Sequence, residues 1–431
     1  MIEKVLHPRN MELALRQVIA NRGSSGVDGM QVGELYEHFH KEKVSLYASI
    51  RGKNYLPSAI LGVEIPKGEG KTRLLGVPTA TDRVLQQAVS QVLMPMYENG
   101  FSENSYGFRP GKNARQAVGR ALENIHSGYT YIVDIDLKTF FDEVDHCVLL
   151  NLLYQKVKCA ATMRLIRKWL RSPIQRNGRL EKRRKGVPQG SPLSPLLSNI
   201  LLNELDKELT DRQLRFVRYA DDFSIYTRNR GEANKVFREV TKWLLSKLKL
   251  SINESKSGIR KPMQFEILGF GFEPTYRKGD RGKYQLVVIE KAWKRLKMAL
   301  KSATRKTTAK TFDERIQKIN EIQRGWLTYF RGTSIKGKLR DVDGWLRNRL
   351  RYCIWHDWKK PERRRKNLIR LGIDYDHAYA FSRTRKGGWA VAQSPILGTT
   401  ITTSRLKQRG YIAMLDLYLM LNPSTYEPPY T

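Results

Sequence analysis

A pair of adjacent carboxylates between two short apolar runs restricts the fold of this chain more than any other feature. Residues 216–223 read Phe-Val-Arg-Tyr-Ala-Asp-Asp-Phe, and the pair is Asp221 and Asp222. The two runs predict a tight β-hairpin with both carboxylates at its tip, since only a turn directs neighbouring side chains toward one place. Such carboxylates repel each other unless a cation neutralises them, and hard oxygen ligands suit Mg²⁺ or Mn²⁺. Taken alone, an Asp-Asp pair is more often a solvated turn.

The charge balance of the chain points to a polyanionic partner. The 431 residues contain 78 Lys and Arg against 42 Asp and Glu, a formal net charge of +36. Basic residues recur along the whole length, as expected of a surface that binds nucleic acid. A hydrophobic content of 40% supports a packed core and excludes a disordered basic protein. A generally basic solvated surface, or affinity for anionic lipid, is the alternative.

Cysteine use and hydropathy favour a soluble intracellular protein. Cys147, Cys159 and Cys353 form no CxxC pair and no zinc-binding spacing, which suits a reducing compartment. No apolar run approaches the roughly 20 residues of a membrane span. The N-terminus lacks the apolar core of a signal peptide. We therefore expect a cytoplasmic location and no membrane partner.

The chain divides into four regions by composition and hydrophobic periodicity. A glycine-rich stretch in the first region predicts a flexible loop at 23–29. The regions are a polar, helical segment at 1–60, alternating β-rich and helical runs at 61–285, basic amphipathic helices at 286–360 and a mixed segment at 361–431.

Apolar stripes at helical spacing predict a small bundle in the third region. Trp293, Leu296 and Leu300 form one such stripe, which is expected to face the core. The outward faces of these helices are basic, so they are candidates for RNA binding. The highly charged run at 359–366 is predicted to be a linker. The outward lysines considered for RNA binding are Lys294, Lys297 and Lys301.

Phosphoryl transfer between nucleotides by two metal ions requires a third carboxylate from a separate segment. The candidates are Asp134, Asp136 and Asp142, which lie in or just after a predicted strand at 129–137. Asp134 and Asp136 are two residues apart and share one face of a regular strand. Periodicity therefore does not choose between them.

A series of motifs along nearly the whole chain strongly resembles reverse transcriptases, and most closely those encoded by bacterial group II introns. The motifs keep the order in which that family has them, which makes the resemblance specific. They are Ile-Pro-Lys (65–67), Arg-Leu-Leu-Gly-Val-Pro (73–78), Ser-Tyr-Gly-Phe-Arg-Pro-Gly (105–111), Asp-Leu-Lys-Thr-Phe-Phe-Asp (136–142), Val-Pro-Gln-Gly-Ser-Pro-Leu-Ser-Pro (187–195), Tyr-Ala-Asp-Asp (219–222), Ile-Leu-Gly-Phe (267–270) and Arg-Gly-Trp-Leu-Thr-Tyr-Phe (324–330).

The resemblance implies an α+β fold of the right-hand polymerase type. In this family, region 1–60 corresponds to an N-terminal extension with a template-lid loop. Region 61–285 corresponds to the fingers and palm, with an antiparallel palm sheet. Region 286–360 becomes a helical thumb or maturase domain, and 361–431 a small C-terminal DNA-binding region. No Cys/His cluster follows residue 360, so the resemblance is to members that lack the metal-dependent endonuclease domain, as in the group IIC class.

The resemblance also resolves the choice of the third carboxylate. In polymerases of this type the strand aspartate precedes an aromatic residue by five positions, as Asp136 precedes Phe141. It implies that Asp136, Asp221 and Asp222 are the catalytic ligands of two Mg²⁺ ions, for which Mn²⁺ substitutes. Asp136 and Asp221 carry most of the metal binding in the family, and Asp134 is then structural.

The same resemblance assigns residues to the incoming nucleotide. Lys67 and Arg73 match positions that bind the triphosphate, and Gln189 matches one that contacts the nucleotide or the templating base. Phe141 matches a steric gate against a ribose 2′-hydroxyl, whereas Phe140 is expected in the core. Lys256 is a candidate for protonating the leaving pyrophosphate, with an ordinary surface lysine as the alternative.

The implied partners are group II intron RNA, an RNA template, a DNA primer or target, and deoxynucleoside triphosphates. The expected activity is RNA-directed DNA synthesis combined with assistance to intron splicing and retrohoming by target-primed reverse transcription. The expected setting is a nucleoid-associated ribonucleoprotein in the bacterial cytoplasm. A relative domesticated for DNA repair, or a splicing cofactor with little polymerase activity, is the alternative. The loop residues expected near the template, unless the loop is a plain connection, are Gly23, Ser24, Ser25 and Gly26.

Overall fold

The computed structural model of the chain describes residues 1–68, 70–275 and 283–422, without the side chains of residues 67, 68 and 71. It forms two compact units, residues 1–265 and 266–431. Helices and mainly antiparallel sheets alternate along the first unit, which confirms the predicted α+β class. The finer division into four regions stays a prediction.

The first unit begins with helices and continues with strands and helices in alternation. Its described helices are α1 (Ile2–Val5), α2 (Pro8–Ala20), α3 (Leu35–Arg51), α4 (Ala80–Glu98), α5 (Ala114–His126), α6 (Phe140–Glu143), α7 (His146–Lys156), α8 (Ala160–Arg171), α9 (Ser194–Asp211) and α10 (Arg230–Trp243), followed by a π-helical turn (Leu244–Leu248) and a 3₁₀ turn (Pro262–Gln264). Its described strands are β1 (Ile60–Gly68), β2 (Lys71–Val77), β3 (Tyr131–Ile135), β4 (Ile174–Arg176), β5 (Arg179–Glu181), β6 (Arg215–Tyr219), β7 (Asp222–Thr227) and β8 (Gly258–Arg260).

One antiparallel sheet of the first unit has the strand order β6-β7-β3-β8. Its central strands are covered by helices: α10 packs on β3, β7 and β8, and α9 and α5 pack on β6. Val133, Ile135, Phe216 and Ile225 are buried beneath this cover. The sheet is therefore firmly held, and β3 and β7 are mostly buried, with Asp134 of β3 partly exposed and Asp222 at the start of β7 exposed.

A second sheet of the first unit has the order β2-β1-β4-β5. β1 and β2 form an antiparallel hairpin, with Ile65 opposite Arg73. β4 joins β1 in parallel, and β5 returns antiparallel to β4. This sheet presents Arg73 on an exposed hairpin.

Helix α9 shows how the sequence pattern becomes buried structure. In the sequence, Leu197, Leu201, Leu205 and Leu209 recur at helical spacing, and the stripe that they form is buried almost completely. Each of these side chains buries apolar area worth roughly 1.5–3 kcal/mol relative to exposure. Packing of this face therefore positions α9 under β6.

The second unit is mainly helical. The described strands β9 (Glu266–Ile267), β10 (Phe270–Pro274) and β11 (Tyr284–Val288) form an antiparallel sheet. The described helices are α11 (Glu290–Ala303), α12 (Phe312–Phe330), α13 (Lys336–Asp357), α14 (Pro361–Arg370), α15 (Tyr375–Ser382), α16 (Gly388–Ala392), α17 (Pro395–Thr400), α18 (Thr403–Gln408) and α19 (Met414–Leu421). Helices α11, α12, α13 and α19 pack together, so the predicted bundle is present.

A buried carboxylate joins helix α13 to the start of helix α19. Asp343 lies in α13 and is 3% exposed. It accepts hydrogen bonds from the Tyr411 hydroxyl at 2.9 Å and from the backbone N–H groups of Met414 at 2.8 Å and Leu415 at 3.0 Å. Asp343 thus satisfies donors at the N-terminus of α19 that the helix itself leaves unpaired.

The linker predicted at 359–366 is wrong, because this stretch enters a helix. Helix α14 begins at Pro361, in the first helical position that suits proline, and buries Leu368. It packs against α15. The proline at 361 and the apolar Leu368 both favour a helix, but the high charge of the run suggested a solvent-exposed linker instead. Among the described helices of the whole chain, none is long and apolar enough to cross a membrane.

Candidate active site

The ends of β3 and β7 bring two distant aspartates side by side. β3 pairs antiparallel with β7, and Ile135 stands opposite Phe223. Continuing that register by one residue places Asp136, directly after β3, opposite Asp222, the first residue of β7. Opposed residues in antiparallel strands have Cα atoms roughly 4.5–5.5 Å apart. The register therefore brings together carboxylates that the sequence separates.

The predicted hairpin between β6 and β7 is present. Tyr219 pairs with Asp222, which leaves Ala220 and Asp221 as the turn. Ala220 has a φ of 58°, in the left-handed region that residues with a Cβ adopt seldom. A Cβ added to Gly107 would lie 3.0 Å from the Ala220 Cα, so glycine is required beside this turn. The strain at Ala220 must be compensated by its surroundings.

A fully buried arginine supplies that compensation. The Arg218 guanidinium donates to Asp206 through Nε at 2.7 Å and Nη2 at 2.5 Å, and both side chains have no solvent exposure. Its Nη1 donates to the Ala220 carbonyl and to the Asn199 Oδ1, each at 2.9 Å. The Asn199 Nδ2 in turn donates to the Gly107 carbonyl at 2.9 Å. The turn is thus fixed from below by one continuous hydrogen-bond network.

The loop before β8 holds Asp136. The Asn253 N–H donates to the Asp136 carbonyl at 2.7 Å, and its Nδ2 donates to the Asp136 carboxylate at 3.1 Å. The Asp136 N–H donates to the Ser257 hydroxyl at 3.0 Å. Sequence reasoning missed Asn253 and Ser257, because a short polar loop carries no signal that it returns to β3.

Lys256, in the same loop, lies with its Nζ 3.4 Å from the Asp136 carboxylate. Next to it, Arg260 Nε donates to Asp134 at 2.7 Å and its Nη2 donates to the Lys256 carbonyl at 2.7 Å. Asp134 therefore belongs to an ion pair, as expected of a structural residue. The role of Lys256 as a proton donor stays a prediction.

The carboxylates at these strand ends influence one another. Loss of water around the Asp222 carboxylate, followed by repulsion from Asp221, Asp136 and Asp134, raises the pKa of Asp222 to about 6, against partial relief by Lys256. Asp222 retains an exposed edge, so solvent screens part of this repulsion. Within the described residues, no three metal-ligating side chains are close enough to form a metal site.

The residues predicted for the nucleotide lie on β2 and on the Pro-Gln-Gly turn. Arg73 Nε donates to the Gln189 side-chain oxygen. The backbones also meet: the Gly76 N–H donates to the Gln189 carbonyl at 2.7 Å, and a Cβ on Gly190 would lie 2.7 Å from the Gly76 carbonyl oxygen. Gly190 has a φ of 111°, so it needs to be glycine on both counts. The structure thus brings Arg73 and Gln189 together, whereas the Lys67 side chain lies outside the described residues.

The two phenylalanines of α6 are both largely buried. Phe140 is 2% exposed and Phe141 is 8% exposed. Their rings pack edge to face, with the ring centroids 5.2 Å apart. Phe141 is five residues beyond Asp136 and retains the greater exposure. The assignment of Phe141 as the gate stays a prediction.

The glycine-rich loop rests on the start of α4. Arg83 Nη2 donates to the Ser24 carbonyl at 2.8 Å. A Cβ on Gly26 would lie 2.7 Å from the Thr79 Cα, and one on Gly23 would collide with the Arg83 guanidinium. Glycine is therefore needed at position 26, which faces backbone atoms, whereas at position 23 the end of the Arg83 side chain could move; Ser25 lies between these two positions. Contact of this loop with a template stays a prediction.

Helix α11 has the amphipathic form that its periodicity predicts. Trp293, Leu296 and Leu300 are buried, with exposures of 3%, 2% and 0%. The lysines predicted to bind RNA, at positions 294, 297 and 301, are exposed on the remaining surface of the helix. The structure thus leaves their charges open to solvent.

Two protein families match this chain. Residues 65–272 match the family described as reverse transcriptase (RNA-dependent DNA polymerase). Residues 293–372 match the maturase-specific domain of group II introns. The first match contains Asp136, Asp221 and Asp222, and the second contains most of α11 and all of α12, α13 and α14.

Two of the curated proteins that resemble this chain are bacterial. Protein YkfC of Escherichia coli (strain K12) is 29% identical over 60% of this chain and 78% of its own length. The group II intron-encoded protein LtrA of Lactococcus lactis subsp. cremoris is 33% identical over 50% of this chain, which spans only 36% of LtrA. Among solved structures, a partial Cas6-RT-Cas1–Cas2 complex is 26% identical, covers 56% of this chain and 42% of that chain, and has a TM-score of 0.37.

The buried ion pair under the turn leads to a stability prediction. Asp206→Ala leaves the Arg218 guanidinium buried without its counter-charge, which costs roughly 3–5 kcal/mol of unfolding free energy. As a control, Arg212→Ala removes exposed pairs with Glu208 and Glu239 and costs at most about 1 kcal/mol. Urea unfolding followed by circular dichroism measures both changes. Equal losses in the two variants would contradict the importance of the network.

The raised pKa of Asp222 leads to a pH prediction for the metal-free protein. Because the folded-state pKa of about 6 lies above the ordinary value of 3.8, the folded state binds the proton more tightly. The contribution of Asp222 to stability therefore falls as pH rises from 4 to above 6. Asp222→Asn removes this dependence, so the variant should gain stability over wild type at pH 7.5 relative to pH 4.5. Urea unfolding with a chelator present measures the difference, and a pH-independent difference would rule out the crowding of carboxylates.

Proposed function

This chain belongs to the family of group II intron-encoded reverse transcriptases and maturases, and we propose that it copies RNA into DNA and binds its intron RNA to assist splicing. The observation that carries the polymerase part is the backbone register that brings Asp136 beside Asp222, with Asp221 in the adjoining turn. All three lie within the residues that match the reverse transcriptase family. A purely structural role for these carboxylates would not require them to crowd together at a cost in electrostatic repulsion.

The proposed cofactor is a pair of Mg²⁺ ions, for which Mn²⁺ substitutes. The chemistry of the donors fits, because carboxylate oxygens suit hard divalent cations, and burial followed by repulsion from the neighbouring carboxylates raises the pKa of Asp222. Asp136 and Asp221 would bind most directly, with Asp222 contributing less. When bound, such ions stabilise the attacking and leaving oxygens of an in-line phosphoryl transfer. Lys256 would then leave Asp136 and face the pyrophosphate, where it can donate a proton.

The proposed nucleotide site uses Lys67 and Arg73 on the triphosphate. A guanidinium offers a bidentate fork to phosphate oxygens, and an ammonium offers a compact charge. The contact between Arg73 and Gln189 supports a shared site for these two residues. Gln189 would contact the nucleotide or templating base, and the Phe141 ring would exclude a ribose 2′-hydroxyl.

The proposed partners are an RNA template, a DNA primer or target, deoxynucleoside triphosphates and the parent intron RNA. The match of 293–372 to the maturase-specific domain supports intron binding and favours it over a repair enzyme without such a partner. Retrohoming by target-primed reverse transcription follows from combining both activities at a DNA target. We place the protein in the bacterial cytoplasm, at the nucleoid, as a ribonucleoprotein. The loop at 23–29 would cover the template, and 361–431 would bind DNA.

Primer extension on an RNA template tests the polymerase proposal. Asp136→Ala and Asp221→Ala should each abolish extension, because the carboxylates have no substitute, while RNA binding stays nearly unchanged. Asp211→Ala, an exposed change at the end of α9, is the matched control and should extend normally. Substantial primer extension by Asp221→Ala at ordinary Mg²⁺ concentration would contradict the assignment of Asp221 as a metal ligand.

Sugar selection tests the gate. Phe141→Ala should increase ribonucleotide incorporation, since exclusion by a clash needs no contact with the correct substrate. Phe140→Ala, its neighbour and control, should keep sugar selection and lose roughly 3–5 kcal/mol of stability through a core cavity. Steady-state incorporation of matched ribo- and deoxyribonucleotides decides the matter. If only Phe140→Ala accepted ribonucleotides, the alignment of this segment with the family would be wrong by one residue. The choice of Asp136 as the metal ligand would then have to be made again.

Charge reversal on α11 tests the RNA-binding surface. Changing Lys294, Lys297 and Lys301 together to Glu should weaken intron RNA binding and splicing more than extension on a short template. Intron affinity of the wild type should fall steeply with salt, because binding releases counterions. An equal charge change on the exposed face of α10 is the control, and its positions are Lys235, Arg238 and Lys242. Intron affinity that is unchanged in the α11 variant would place the RNA surface elsewhere.

A further inference from the structure

A basic cavity lies in the first unit, away from the carboxylates of the candidate active site. Its volume is about 760 Å³. It lies between the end of α8, strand β5 and the segment that follows β5. The described lining residues carry four cationic side chains and no carboxylate, and they are Arg171, Pro173, Leu180, Lys182, Arg183 and Arg184.

Arg183 leaves hydrogen-bonding capacity unused in the wall of this cavity. Its Nη1 is enclosed and has no hydrogen-bond acceptor among the described residues. Burial lowers the pKa of the Arg183 guanidinium, and the Asp142 carboxylate offsets this only in part. A donor of a charged group that is shielded from water without an acceptor is costly, so its presence calls for an anionic ligand.

His146 lies close enough to the cavity to be affected by the charges of two of its lining arginines. Its Nε2 lies 2.8 Å from the Gly186 carbonyl, and the side chain is buried. Burial lowers the pKa of His146, and the charges of Arg183 and Arg171 lower it further. Two cations therefore act together on a third group, which is the electrostatic condition for binding an anion.

The segment behind the cavity leads directly to the predicted nucleotide site. Gly186 has a φ of 87°, and a Cβ there would lie 2.9 Å from the Phe141 carbonyl oxygen. The next residue, Val187, donates its N–H to the same carbonyl at 2.6 Å and begins the Pro-Gln-Gly turn that contains Gln189. The segment that lines the cavity at Arg183 and Arg184 therefore continues directly to the contacts with helix α6 and on to Gln189.

We propose that this cavity binds a phosphodiester of the single-stranded RNA template ahead of the copying site. Arg171 and Arg183 hold one phosphate, and Lys182 and Arg184 contact its neighbours. Leu180, which is 64% exposed beside these charges, packs on a sugar or base. A strand fits better than a free anion because the cations extend past the cavity into solvent. The choice of RNA rests on the proposed function, whereas the anion site rests on the geometry.

The test is a charge-deletion cycle between protein and template. A DNA primer is annealed to an RNA template with a long 5′ overhang, which carries one uncharged methylphosphonate linkage at successive positions. Wild-type affinity should fall about tenfold at one or two positions, the loss expected for one charged hydrogen-bonded contact. In the variant Arg171→Gln/Arg183→Gln, all-phosphate template should bind more weakly and those same positions should lose their effect. The salt dependence of binding should also become shallower, by about 0.7 per lost contact.

Lys235→Gln/Arg238→Gln, which also removes two charges but from the exposed surface of α10, is the control and should keep the wild-type pattern of sensitive linkages. Arg171→Gln alone changes an exposed residue and keeps the test decisive if the double variant does not fold. If the pattern of sensitive linkages survives in the variants while wild type binds and extends the template, the cavity proposal is wrong and the proposed function stands. If wild type neither binds nor extends RNA, the proposed function fails as well.

Discussion

The ion pair between Arg218 and Asp206 supports the turn on which the candidate active site depends. A buried guanidinium is tolerated here because its donors meet a carboxylate in a two-bond arrangement and then two further acceptors. Through Asn199 and Ala220 the pair joins helix α9, strand β6 and the loop at Gly107. The loop at Gly107 lies 92 residues before Asn199 in the sequence, so the left-handed backbone at Ala220 is fully supported only in the assembled fold.

The local charge of the site opposes the charge of the whole chain. A protein with a net charge of +36 collects Asp134, Asp136, Asp221 and Asp222 at one sheet edge. Lys256 and Arg260 offset part of this density, and Lys256 belongs to the loop that also anchors the backbone of Asp136. The same loop therefore sets both the position and the charge of the site. A cation that bound there would replace repulsion with attraction without any change of fold.

Local patterns predicted local structure well. The hairpin at Asp221, the stripe of α9 and the amphipathic form of α11 follow from alternation, helical spacing and turn chemistry within a few residues. The partners that support the site could not be predicted in this way. Asn253 and Ser257 act on Asp136, 117 and 121 residues away, and no local pattern pairs Asp206 with Arg218 across the end of α9. Arg183 could not be predicted either, because its interest lies in its Nη1, which is buried without a hydrogen-bond acceptor among the described residues. The run at 359–366 misled because charge suggested solvent, while Pro361 and Leu368 specified a helix. The resemblance supplied roles for Lys67, Arg73, Phe141 and Gln189 that neither spacing nor contact geometry decides.

The carboxylate of Asp343 sets an order of events for a chain that is being translated. Its hydrogen-bond donors at Tyr411, Met414 and Leu415 lie 68 to 72 residues downstream. Helix α13 can form as soon as it leaves the ribosome, but its buried aspartate stays unsatisfied until those donors have emerged. The second unit therefore completes its core only when nearly all of the described chain has been synthesised. A ribosome that reads the proposed intron RNA will have passed through most of this reading frame before its product can present a finished second unit to that RNA.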